Sequence, residues 1–437
     1  MTKCNQRIVE FPSTKRRKVQ ASFTGGEVTS DGGVMLLRQV DRRLGLTEAV
    51  SQSLTESRRR ASCKHSLKSL LRQRVYALAL GYEDLNDHES LRHDPAFQTA
   101  VERDDSLASS PTLCRWENRA DRETAWAIHR VMVDEFINSF ERPPSELILD
   151  FDATDDAIHG HQEGGFFHGY YDHYCFLPLY VYCEDRLLVS YLRPSNIDGA
   201  KHAWAILSLL VRRFRQQWPD VEIIFRGDSG FCRWRMLAWC DRHDVGYIAG
   251  IAKNERLKRL AAPLLEAAEL GFADTGEKQR LFGDIVYGAR TWDKQRRVIV
   301  KAEHASKGSN PRFVVTNLGG DAEDLYDRLY CARGDMENRI KEQQLDLLAD
   351  RTSCHRWWSN QLRLLLSGLA YILLEAIRRL ALARTELARA QAGTIRLRLL
   401  KIGAVILRNT RRVRLLLSSS YPYQELFFKV AARISSA

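Results

Sequence analysis

Three acidic residues, Asp152, Asp228 and Glu337, stand where carboxylates can do metal chemistry. Asp152 closes the run SELILDFD (145–152), which alternates apolar and polar residues after Pro143-Pro144 and so predicts a strand. Asp150, two residues earlier, shares its face. Asp228 closes a second predicted strand, VEIIFRGD, and the Ser229-Gly230 step after it breaks the strand and exposes the carboxylate at the carboxyl edge of a sheet. Glu337 lies in a predicted helix where Tyr330, Arg333, Glu337 and Lys341 recur at +3, +7 and +11. At about 100° per residue these four project within one narrow face, and a stripe of Tyr, Arg, Glu and Lys is not a core stripe. Such carboxylates suit a pair of hard divalent cations about 4 Å apart, the arrangement that cleaves a phosphodiester in line. One ion would activate water or a 3′-hydroxyl and the other would stabilise the leaving oxygen. Arg333 and Lys341 would clamp phosphates beside them, and Tyr330 would position one by its hydroxyl. Any one of these acids reads as well as a solvated strand end; the three with the Tyr/Arg/Lys face read as a site. Asp155 and Asp156 compete with Asp152 for the first position, and Asp152 is preferred because it ends its strand in register.

The elements that must position these groups follow from periodicity. Downstream of SELILDFD, CFLPLYVYC and RLLVSYLRP read as a hairpin turning at Glu184-Asp185. KHAWAILSLLVRRFRQQW is an amphipathic helix, VEIIFRGD a strand, RWRMLAWCDRHD a helix and VGYIAGIAK a strand. This order, three strands, helix, strand, helix, strand, matches the five-stranded core of ribonuclease-H-like α/β enzymes, although βα alternation occurs in many folds. Short strands separated by Gly, Asp, Ser and Asn over 278–318 predict an all-β insertion, after which helix runs from about Asp321 to Ala392 with a break at Arg351–Ser353. Upstream, residues 1–20 read as a basic, poorly ordered arm. A helix is expected from Ser30 to Leu46, and 66–140 is mostly helical. In that region Arg115, Asn118 and Arg119 suit either a helix-turn-helix reader of a DNA end or an ordinary packing cluster. The tail, TIRLRLLKIGAVILRNTRRVRLLLSSS, reads as a two-stranded ribbon with a cationic face, in which Arg411 and Arg412 join Arg396, Arg398, Arg408 and Arg414.

The formal charge is +11, and its distribution says more than its size. Residues 351–437 hold 16 Lys and Arg against 3 acids, and residues 1–60 hold 12 against 6, so the stretch between them is net acidic. A basic head and tail around an acidic middle fit a phosphate-gripping protein with a carboxylate-rich centre. The nine cysteines form no C-x-x-C pair and suggest reduced thiols in a cytoplasm. The N-terminus lacks the apolar stretch of a signal peptide, and the longest charge-free apolar segment, Leu364–Leu374, is far below the roughly 20 residues that span a bilayer. No membrane association is expected. His159, His161, His168 and His173 cluster after the first strand, with a spacing that fits no familiar zinc motif.

Taken together, Asp152-Ala-Thr154, Arg226-Gly-Asp228-Ser-Gly-Phe231, Phe313-Val-Val-Thr-Asn317 and Tyr330-x2-Arg333-x3-Glu337 resemble bacterial insertion-sequence transposases of the DDE superfamily. The resemblance is to the branch with a Y-x2-R-x3-E…K signature and a β-strand domain interrupting the catalytic core. GYEDLNDHESLRHDPAF and DATDDAIHGHQEGGFFHGYY also look like family segments, and the resemblance runs from about residue 20 to 420. It implies that Asp152, Asp228 and Glu337 bind two Mg²⁺ (or Mn²⁺) ions in a ribonuclease-H-like core. It further implies cut-and-paste transposition: binding of terminal inverted repeats in double-stranded DNA, strand cleavage, and strand transfer into target DNA. The signature's lysine, seven residues after the glutamate, is replaced here by Gln344, and Lys341 is the substitute. Trp292 would stack on a flipped base, or sit buried in the β domain. The expected organisation is a basic arm and helical DNA-binding region (1–140), a catalytic core (141–255 and 320–392), the β insertion (256–319) and a basic tail for DNA or dimer contacts (393–437). A homodimer on paired DNA ends, in a bacterial cytoplasm at the nucleoid, completes the expectation. A catalytically silent repressor and a nuclease without strand transfer are the alternatives.

Overall fold

The computed structural model describes residues 7–59 and 63–435 and divides the chain into two units, 1–119 with 369–437, and 120–368. The basic arm, where described, is not irregular: β1 (Ile8–Thr14) and β2 (Arg17–Ser22) form an antiparallel hairpin exposed along its whole length. Its turn carries Lys15 at φ 55, with Arg16 and Arg17 beside it. A short strand, β3 (Val28–Thr29), follows.

The unit 120–368 is organised by one sheet. β4 (Glu146–Ala153) is followed by a small three-stranded sheet of β5 (Asp156–Ala157), β6 (Phe166–His168) and β7 (His173–Phe176). β8 (Leu179–Cys183) and β9 (Arg186–Tyr191) make the expected hairpin, with Glu184 at φ 54 in its turn. Helix Ala203–Gln217 leads to β10 (Glu222–Gly227), and helix Trp234–Arg242 leads to β11 (Gly246–Ile251). Across the sheet these strands run β9-β8-β4-β10-β11, with β4, β10 and β11 parallel, β8 antiparallel to β4 and β9 antiparallel to β8. That topology is a ribonuclease-H-like core.

The chain then adds helices Glu255–Leu260 and Ala262–Thr275, followed by β12 (Gln279–Tyr287), β13 (Arg296–Ala305), β14 (Gly308–Ser309) and β15 (Arg312–Thr316). The inserted strands do not make a sheet of their own. β15 pairs antiparallel with β11, β13 with β15, and β12 and β14 with β13, so the core sheet grows to nine strands. The open edge of β11 offers unpaired backbone groups, and an inserted strand satisfies them.

Alternation along β4 and β10 divides the residues between the two faces. Leu147, Leu149, Phe151, Ile223 and Phe225 join the core that packs beneath helix Ala203–Gln217 through Leu207, Val211 and Phe214. Each fully buried Leu or Phe there stabilises by about 1.5–3 kcal/mol. The other face presents Ile148, Ile224 and Ile248 to Ala322 and Tyr326 of the returning helical segment. Asp150, Asp152, Arg226 and Asp228 belong to that second face by the same alternation.

In the other unit, the tail's expected ribbon forms as β16 (Ala404–Arg408) and β17 (Val413–Leu417), and β3 pairs with β16. Head and tail, expected as separate regions, thus share one sheet and one unit. The first helix starts at Val34 rather than near Ser30, because Gly32 and Gly33 donate to the Ile402 and Leu400 carbonyls and Asp31 is taken by Tyr82 and Lys401. All eight described cysteines are free thiols; Cys4 lies outside the described residues. No helix among the described residues is long and apolar enough to cross a membrane.

Candidate active site

The parallel register of β4 and β10 pairs Asp150 with Arg226 and Phe151 with Gly227, which makes Asp152 and Asp228, one residue further, neighbours at the carboxyl ends of adjacent strands. Strands so paired lie about 4.8 Å apart. A 3₁₀ turn over Ser229–Phe231 ends β10, and its Gly230 N–H donates to Asp228 Oδ1 at 2.9 Å. The Ala153 N–H donates to Asp152 Oδ1 at 2.8 Å. Facing them, the returning segment is wound unevenly: a π turn over Leu325–Tyr330, a 3₁₀ turn over Cys331–Arg333, then α-helix Gly334–Lys341. The uniform 100° step expected of a regular helix therefore fails between Tyr330 and Arg333. It holds from Arg333 to Glu337, whose side chains meet at 2.8 Å. Arg333 also reaches Asp152 Oδ2 at 3.4 Å, so one guanidinium stands between the strand carboxylate and the helix carboxylate.

Tyr330 comes in beside the turn. A Cβ placed on Gly250 of β11 would lie 2.6 Å from Tyr330 Oη and 3.0 Å from the Ser229 nitrogen, so only glycine lets the ring approach this closely. Burial pushes the Tyr330 hydroxyl up, which keeps it protonated and able to donate. Nothing in the sequence around Gly250 marks it as part of the site.

Burial also pushes the Asp152 carboxyl up to about 7, reinforced by Asp228 and Glu337 and opposed by Arg333. Three carboxylates facing one arginine leave an excess of negative charge that a divalent cation would neutralise, and their oxygens are the donors that Mg²⁺ or Mn²⁺ prefers. The donor set fits. As the side chains stand, no group of three His, Cys, Asp or Glu residues among those described closes on a common point, and Arg333 pairs with both Glu337 and Asp152.

The raised Asp152 carboxyl has a consequence for stability. Its folded value of about 7 lies above the ordinary aspartate value of 3.8, so between these values the folded chain holds a proton that the unfolded chain has lost. Stability should therefore fall as pH rises through that window, by roughly 4 kcal/mol at the very most. In chelator, the melting temperature of the unaltered chain should decline from pH 5 to pH 7.5 relative to Asp152→Asn. Parallel melting curves for the two proteins would show that Asp152 is not so perturbed.

Of the other expected residues, Lys341 ends its helix exposed, with no ion pair among the described residues. Asp155 and Asp156 stand apart from the Arg333–Glu337 pair: Asp155 pairs with His173 at 2.9 Å, and Asp156 is buried. The histidines join no group of three metal-type ligands among the described residues: His168 and His173 are cross-strand partners, but His173 pairs with Asp155 and the His168 ring accepts the Tyr170 N–H at 3.3 Å. Gln344, where the signature would place a lysine, donates to the Asp155 carbonyl at 3.1 Å. Trp292 lies in the turn between β12 and β13 and is half-buried, with Tyr287 edge-on to it and Arg296 over its ring. That turn is three strands beyond β10, about 14 Å across the sheet. The packed reading of Trp292 describes its surroundings, and a free stacking ring does not. Arg115, Arg411 and Arg412 belong to the other unit and are exposed.

Sequence comparison with curated proteins finds no match. A solved structure of piggyBac transposase in a synaptic complex with hairpin DNA aligns over 80% of this chain and 76% of that one, at 10% identity and a TM-score of 0.41. The family model for transposase DDE domain group 1 matches residues 11–437. The chain belongs to the family of transposase DDE domains, group 1.

Proposed function

We propose that this chain is a cut-and-paste DNA transposase of a bacterial insertion sequence. It binds the terminal inverted repeats and cuts them with two Mg²⁺ or Mn²⁺ ions held by Asp152, Asp228 and Glu337. The observation that carries the reading is the in-register pair of strand-end aspartates faced by Tyr330, Arg333 and Glu337 on one returning segment. Ions bound there supply charge neutralisation at the scissile phosphate and a polarised oxygen nucleophile. The chain's own groups do the rest. Arg333, released from Asp152 and Glu337, offers a planar fork to a phosphate, Lys341 offers a point charge, and the protonated Tyr330 hydroxyl donates to a non-bridging oxygen. A water oxygen attacks phosphorus and gives up a proton as the P–O3′ bond breaks and the departing 3′-oxygen takes up a proton. In transfer, that 3′-hydroxyl would attack a phosphodiester of target DNA, losing its proton as the target strand's own 3′-oxygen leaves and is protonated. Cutting both ends of one element calls for two sites, hence a homodimer on paired ends.

DNA grip outside the site falls to Arg115 and to the β16–β17 turn. There the Asn409 side chain accepts from the backbone N–H groups of Arg411 and Arg412 at 2.9 and 2.8 Å, which fixes the turn. Arg408 is occupied by Gln98 at 3.0 Å, whereas Arg411 and Arg412 have exposed side chains. Replacing both by alanine should reduce the slope of log affinity against log salt by about 2, one for each phosphate no longer neutralised. An unchanged slope in a fluorescence-anisotropy titration would take them out of the interface.

Incubating the protein with a labelled terminal-repeat duplex and Mg²⁺ separates three outcomes. Cutting with joining supports transposition, cutting alone indicates a nuclease, and binding alone indicates a silent repressor.

A further inference from the structure

Behind the two aspartates sits a buried pair that the proposed chemistry does not use. Arg226 and Asp150 are direct partners across β10 and β4, two residues before Asp228 and Asp152 on the same face. Their side chains are 8% and 2% exposed. The guanidinium is fully engaged in direction: Nε donates to Asp150 Oδ1 at 2.5 Å and Nη2 to Asp150 Oδ2 at 2.6 Å. The remaining arm, Nη1, donates at 2.5 Å to the carbonyl of Leu329, the residue before Tyr330. That carbonyl lies at the change of winding from π to 3₁₀, where a helical segment has the least regular hydrogen bonding of its own.

We propose that Arg226 is a positioning residue for the carboxylate set. Its fork locks the register of the two strands that end in Asp152 and Asp228, and its third bond sets the seating of the segment that carries Tyr330, Arg333 and Glu337. One side chain thereby ties together the three pieces of backbone from which the metal ligands come. A buried ion pair adds little net stability over a well-packed apolar pair of the same size. What it adds is direction, since five N–H donors in a rigid plane can address two strands and a helix at once. Lysine keeps the charge and loses the plane.

The inference rests on the reading of Asp152, Asp228 and Glu337 as metal ligands, and the test keeps the two separable. Arg226→Lys, the exchanged pair Asp150→Arg with Arg226→Asp, Asp228→Ala and the unaltered chain are compared by amide hydrogen exchange and by Mn²⁺ titration. In Arg226→Lys the peptides covering 325–341 should exchange at least tenfold faster, with the β8–β9 hairpin unchanged. Mn²⁺ affinity should fall 10- to 100-fold, the usual effect of losing a group that orients metal ligands, and cleavage should fall in kcat while end binding holds. The exchanged pair restores an ion pair between the strands without the Leu329 bond and should stay defective. Wild-type exchange over 325–341 in Arg226→Lys overturns the proposal, as does wild-type Mn²⁺ affinity in a variant whose segment has loosened. Should Arg226→Lys not fold, Asp150→Asn takes its place: it leaves the Leu329 bond in place and should loosen the strand ends but not 325–341, and loosening of 325–341 there would overturn the proposal. If the unaltered chain binds no Mn²⁺, the ligand reading fails, while hydrogen exchange still reports on the clamp.

Discussion

Asp228→Ala should lose strand cleavage by a factor on the order of 10³ to 10⁴ while binding terminal-repeat DNA almost as tightly as the unaltered chain. A metal ion's stabilisation of charge in the transition state amounts to several kcal/mol, and each 1.36 kcal/mol is about tenfold in rate. Asp228 is well placed to deliver it, because the turn after β10 holds its carboxylate at the strand end beside Asp152. Alanine also removes the acceptor for the Gly230 N–H, a cap hydrogen bond that contributes about 1 kcal/mol. Asp228→Asn serves as the control, since its amide oxygen still accepts that bond and only the charge is lost. Both variants should fail equally in a labelled-strand gel and bind normally by anisotropy. Full cleavage in either removes Asp228 from the site. Cleavage abolished only in the alanine variant would assign the effect to the turn and not to metal binding.

Gly33→Ala should be the most destabilising single-methyl change in the unit formed by head and tail. The backbone of Gly33 is ordinary, at φ −76 and ψ −4, so conformation is not the obstacle. Space is. A Cβ there would lie 1.9 Å from the Leu399 carbonyl oxygen and 2.5 Å from the Leu400 Cα, and both are backbone atoms that cannot rotate aside. Gly33 also donates to Leu400 at 3.1 Å, and Gly32 donates to Ile402 at 2.8 Å. The methyl therefore forces apart a pair of chain segments that also hold the β3–β16 pairing and the Lys401–Asp31 ion pair at 2.7 Å. Overpacking of this kind costs about 1–3 kcal/mol, and more when the obstacle is main chain. A lower denaturant midpoint, with the tail cut faster by limited proteolysis while Mn²⁺ titration of the carboxylate set is unaffected, is the expected result. An unchanged midpoint would mean that the head and tail do not meet as closely as described.

Elements with strong local periodicity were legible in the sequence. The run 145–152 had to be a strand because Leu147, Leu149 and Phe151 alternate with Ile148, Asp150 and Asp152, and both halves of that alternation are used by the fold. The Glu184-Asp185 turn, the helix Ala203–Gln217 and the strand end at Asp228 were equally local statements, so the order of the core strands followed from the sequence. The carboxylates at strand ends could be picked out for the same reason: their placement depends on where a strand stops, and Ser229-Gly230 stops it. Other features could not be read this way. Main-chain hydrogen bonding carries no residue identity. Nothing in 278–318 thus says whether its strands pair among themselves or on the edge of β11, and nothing near Gly32-Gly33 names residues 400–402 as their partners. The winding change before Gly334 and the Arg226 fork share that character, since each is settled by which distant carbonyl or carboxylate lies within reach. Local pattern determined the kinds and order of the elements and the candidate acids. Only tertiary structure decided which edges met and where Arg333 came to rest, because those outcomes depend on interactions between residues tens to hundreds of positions apart.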